Sequence, residues 1–101
     1  MKSFGDLMKQ AQKMQKQMTE AQERLAEERH EASAGGGMVT AVVDGRQRLL
    51  QLKIGPTALE QGDVTLLEDL LLTAIGEAQR ASEAHMKETL GKITGGMSLP
   101  F

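Results

Sequence analysis

The chain has 101 residues, 40% hydrophobic and 2% aromatic, with a formal net charge of −2 and no cysteine. That is one domain's length, and the missing thiols exclude disulfides and thiolate metal sites. No apolar run is long enough to span a bilayer and no secretory pattern opens the chain, so no membrane association and a cytoplasmic location are expected. A core of Leu, Val, Ile, Met and Ala alone is modest for this size, which favours subunits that support one another.

Along the chain, Phe4, Leu7, Ala11, Met14, Met18, Ala21 and Leu25 recur at alternating spacings of 3 and 4. That is the seam of a coiled coil, and it predicts a helix over 3–29, about 40 Å long. A compact chain of this size has a radius of gyration of about 13 Å, so this helix projects unless a partner accompanies it. Opposite the seam stand Lys2, Lys9 and Lys16, with Lys13 beside them. Residues 1–18 carry four lysines against Asp6 alone; residues 20–31 carry five glutamates against two arginines. The net charge of −2 hides this polarity.

The period then changes. Residues 30–55 predict a small antiparallel sheet, with strands near 37–44 and 46–54 and a weaker first strand in "RHEASA". Gly35-Gly36-Gly37 suits a reversal, Asp44-Gly45 suits a two-residue type I′ hairpin turn, and Pro56 stops the last strand. A second helix is expected over 64–94, with Thr65 and Glu68 as a capping box. Its first half is apolar on more than one side, as a helix covered by both a sheet and a partner would be. Residues 95–101 read as a tail. The fold class is therefore α+β, in the order α-β-β-β-α, as a single domain.

No catalytic constellation is evident. His30 and His85 each sit among glutamates without a motif, so a solvated helix surface is favoured over metal binding. "GGG" at 35–37 lacks the following Lys-Ser/Thr of a phosphate loop. No cofactor, metal or small-molecule substrate is expected. The Met-rich seam reads as core, or as an adaptable surface for protein partners. The lysine ridge reads as a solvated face or as a phosphate-binding surface. Lys9 and Lys13 lack an acid four residues away, the usual companion of a surface lysine. Gln10, Gln12, Gln15 and Gln17 beside them can hydrogen-bond to phosphates or base edges.

"LMKQAQKMQKQM", the Gly-rich turn before "MVTAVVDG", then "KIGP", "LLEDLLLTAIGEA" and a late "GGM" resemble the YbaB/EbfC family of nucleoid-associated proteins over nearly the whole chain. The resemblance implies a tweezer-shaped bacterial homodimer that binds DNA, organises the nucleoid or affects gene expression, and has no enzymatic activity. Gly55 stands before Pro56 where the family usually has an acid. With the resemblance, the ridge becomes the expected DNA surface. Lys2, Lys9, Lys13 and Lys16 would neutralise phosphates, Gln10, Gln12 and Gln17 would add contacts, and Arg80, Lys87 and Lys92 on the last helix would contribute less. Leu67, Leu70, Leu71, Ile75, Val39, Val43, Leu50 and Leu52 are the expected dimer contacts. The alternative from another class is a coiled-coil adaptor or holdase that works through the Met seam.

Overall fold

The computed structural model describes residues 3–95. Lys2 and the expected tail beyond Gly95 lie outside the described residues. The element order is α1 (Phe4–Glu27), β1 (His30–Ala34), β2 (Val39–Val43), β3 (Leu49–Ile54), α2 (Pro56–Glu60) and α3 (Val64–Thr94). This is the expected α+β arrangement, with one short helix added. The strands form an antiparallel sheet in the order β1-β2-β3.

Helix α1 starts at Ser3, whose hydroxyl accepts the amide of Asp6 and satisfies one free donor of the first turn. Good helix formers carry it onward. It stops at Glu27, two residues short of expectation, because Glu28 turns extended and leads directly into β1. The weak first strand suggested by "RHEASA" is real. Gly35, Gly36 and Gly37 all take positive φ, a conformation costly for other residues. They complete the reversal, so β2 begins at Val39.

The β2–β3 connection departs from expectation. Gly45 is not at positive φ; Gln47 is, at φ 65°. Gln47 N–H donates to the Asp44 carbonyl, and Asp44 N–H to the Arg48 carbonyl. This is a three-residue turn with a left-handed residue at its end, and β3 starts only at Leu49. The register then slips at Val42/Val43, which pair with Gln51 and Leu49 and leave Leu50 as the extra residue.

Pro56 both ends the sheet and occupies the first turn of α2, where its missing N–H is harmless. The cap of α3 is Asp63, whose carboxylate accepts the amide of Leu66. Thr65 lies inside the helix, so the expected capping box does not form.

Helix α3 serves two cores. Its first half packs on β1 and β2, where Val39, Ala41, Val43, Ala34, Ala74 and Ala78 are buried. Its second half runs antiparallel to α1, where Leu90 meets Ala21 and Leu25, flanked by Met18, Met86 and Ile93. The result is a body with an arm. The molecule measures 68 × 21 × 16 Å, with a radius of gyration of 19.1 Å, well above the value of about 13 Å for a compact chain.

Candidate nucleic-acid interface

The α1 seam from Met18 to Leu25 faces α3, so the opposite face points outward. Lys9, Lys13 and Lys16 stand there, exposed. None of the three forms an ion pair among the described residues, although Glu20 lies one turn from Lys16. Gln10, Gln12 and Gln17 are exposed on the same helix. Gln12, Gln15 and Lys16 share a shallow depression with Thr19, Glu20 and Glu23. The outer face is thus cationic toward its tip and anionic toward its root.

The bases of α3 are placed differently. Lys87 pairs with Glu83 at 3.0 Å and Lys92 with Glu88 at 3.7 Å. Arg80 folds over Gly76, its Nη1 3.2 Å from where a Cβ would stand. Two of these three charges are already compensated on their own helix. A basic pair passed over by the sequence reading lies in the hairpin turn. Arg46 and Arg48 line one depression, and Arg48 Nε reaches Asp44 Oδ2 at 3.2 Å. The motif "DGRQR" carried the signal, two arginines flanking the tip of a hairpin.

The turn also fixes the arm. Gly45 N–H donates to the carbonyl of Leu25 at 2.8 Å, and a Cβ on Gly45 would lie 2.5 Å from that oxygen. Ser82 Oγ donates to the Asp44 carbonyl at 2.7 Å, and the Gln47 amide donates to Ser82 Oγ at 3.2 Å. Asp44 is fully buried. Burial raises its pKa, but the amides of Arg48 and Arg46 and the Arg48 guanidinium outweigh this, and the pKa falls below the ordinary value. A depressed carboxyl pKa adds stability at neutral pH that is lost as pH falls through the lowered value. Gly45→Ala should cost about 1–3 kcal/mol, the range of an overpacked contact, and should loosen α1 first. Hydrogen exchange tests this: faster exchange confined to α1 is expected, and unchanged protection of α1 would refute it.

His30 and His85 are not the separate solvated helix residues expected. His30 lies on β1, and both rings converge on Glu28. Nε2 of His30 donates to Oε1 at 3.0 Å and Nε2 of His85 to Oε2 at 3.1 Å, with ring centroids 5.5 Å apart. Burial raises the Glu28 pKa, but hydrogen bonds from His30 and His85 and their charges outweigh it, and the net shift is downward. The trio ties the end of α1 to β1 and α3. Among the described residues no group of three or more His, Cys, Asp or Glu side chains could hold a metal ion. Added zinc should therefore leave the melting temperature unchanged. A rise reversed by chelator would show a metal entering between His30 and His85.

The expected dimer contacts divide. Val39 and Val43 are fully buried inside the protomer against α3, so they present nothing to a partner. Leu67, Leu70, Leu71 and Ile75 are half-buried at the edge of that core. Leu50 and Leu52 stand open on β3, where every residue is exposed. Leu52 and Ile54 pair with Ala41 and Val39 and so share the face that α3 covers on β1 and β2, but α3 does not extend over β3.

The model of the YbaB/EbfC DNA-binding family matches residues 1–97. The chain is 42% identical over 98 residues to a nucleoid-associated protein of Alkaliphilus metalliredigens, covering 97% of this chain and 86% of that one. It is 44% identical over 95 residues to one from Acetivibrio thermocellus, covering 94% and 84%. The crystal structure of HP0035, an uncharacterised protein from Helicobacter pylori, superposes with a TM-score of 0.86 at 25% identity, covering 94% of this chain and all of the other. A basic helical arm on a small antiparallel body, and sequence similarity along nearly the full length, lead to one assignment: the chain belongs to the YbaB/EbfC DNA-binding family.

Proposed function

We propose that this chain binds duplex DNA as a homodimer, through phosphate contacts from the outer face of α1, and so affects nucleoid organisation or gene expression. The observation that carries this is the row Lys9, Lys13 and Lys16 on a projecting helix, which forms no ion pair among the described residues. A linear array of lysines held off the body suits a phosphate backbone, which positions a protein without reading sequence. Arg46 and Arg48 in the hairpin turn form a second basic spot, in which Arg48 is paired with Asp44. The relatives' name supports a cytoplasmic, nucleoid location. No helix is long and apolar enough to cross a membrane among the described residues. The family is not a known enzyme family, which supports a binding role.

The dimer reading rests on β3. Leu49, Leu50, Leu52 and Ile54 are 38–41% exposed, on an edge strand whose outer side has no neighbouring strand among the described residues. Such an edge is normally paired, covered or charged. Here Lys53 is its one charge. A second copy would cover the apolar side chains and bring two arms to one body. Duplex binding followed by anisotropy across a salt series tests the proposal: a steep loss of affinity with salt on any sequence is expected, and no binding at low salt would refute it.

A further inference from the structure

The apolar seam of α1 outruns its partner. Ile93, near the end of α3, and Met18 both pack against the core of Ala21, Leu25 and Leu90. From Met18 to the tip the same seam continues through Met14, Leu7 and Phe4, which are 36%, 52% and 78% exposed, with Met8 beside them at 45%. The lysines do not flank this strip. The positions bordering it are Ser3, Gln10 and Gln17 on one side and Met8 and Gln15 on the other, all uncharged. In coiled coils the charges at these bordering positions choose the partner and its orientation. A seam bordered by lysines would repel a copy of itself. One bordered by glutamines does not, and glutamine side chains can hydrogen-bond across it.

We propose that the α1 tip is a self-association site: the seam Phe4–Leu7–Ala11–Met14 pairs with the same seam of a second copy, joining one dimer to another. A paired seam between copies is isologous, the same surface on both partners. It continues the surface that α1 already offers to α3. Two heptads are short for a stable coiled coil, so the contact is weak alone. It gains from two arms per dimer and from chains held close together on DNA, where effective concentration replaces affinity. Because Lys9, Lys13 and Lys16 face away from the seam, a tip pair presents lysines outward on both sides and can hold two duplexes at once. This deepens the proposed function and rests on it for the dimer and the DNA contact, but not for the seam contact itself.

The chain lacks cysteine, so single cysteines report the contact cleanly. Leu7→Cys and Met14→Cys should cross-link between chains with a short bis-maleimide, and Gln12→Cys, off the seam, should not. Leu7→Glu combined with Met14→Glu should reduce the sedimenting mass from above a dimer to a dimer. It should also abolish capture of a second labelled duplex by a bead-bound one. Binding to a single duplex should keep its salt dependence, which separates failure of the tip contact from failure of the DNA reading. Absence of the seam cross-links overturns the proposal. So does an intrachain disulfide between Leu7→Cys and Ser98→Cys, which would give the seam to the chain's own tail.

Discussion

Replacing Lys9 and Lys16 by glutamate should lower DNA affinity sharply and equally on all sequences. Both residues are exposed and form no ion pair among the described residues, so stability should change by no more than about 0.5 kcal/mol each. With three described lysines on each of two arms, the unmodified dimer would neutralise about six phosphates. Affinity should then fall about a thousandfold between about 50 and 200 mM salt. The double variant retains about two such contacts, so the same salt interval should cost it only about tenfold. Changing Glu23 and Glu27 to glutamine should not weaken binding, since both belong to the acidic root of the arm. A Lys9/Lys16 variant that keeps the original affinity and salt slope would show the ridge to be a solvated face. The adaptor reading, through the exposed seam, would then lead.

Reversing the β3 surface should abolish the dimer. The clean background is the variant with Leu7→Glu and Met14→Glu, in which no tip contact adds mass. There the expected species has twice the 11.0 kDa chain mass. Adding Leu52→Arg places a charge on the uncovered face beside Ile54 and should release monomer or unfold the chain. Obligate interfaces commonly bury upward of about 2,000 Å², and a guanidinium inside one without a partner costs several kcal/mol. Sedimentation with circular dichroism reads both outcomes. A folded monomer in the background variant would overturn the dimer reading while leaving DNA binding open to its own test.

Much of the fold is legible in local pattern. The 3-4 spacing of α1, the alternation in β2 and the three positive-φ glycines each depend on a few neighbours, and α3 runs over 64–94 as its pattern predicts. The ridge of Lys9, Lys13 and Lys16 follows from the same helical period, since residues three, four and seven apart lie on one side of a helix. What needed tertiary structure was everything set by which surfaces meet. Asp63 and Thr65 can both cap a helix, and the path of the chain out of α2 chose Asp63. Gly45 looked like a turn residue by type, yet its lack of a Cβ serves the contact with the Leu25 carbonyl, twenty residues away in sequence. His30 and His85 carry no motif because their link is Glu28, which only the packing of α1, β1 and α3 brings between them. Val39 and Leu52 read alike as alternating apolar residues. Helix α3 covers β1 and β2 and stops short of β3, so Val39 fills the protomer's core while Leu52 is left on an open face. No local periodicity encodes where a helix's footprint ends.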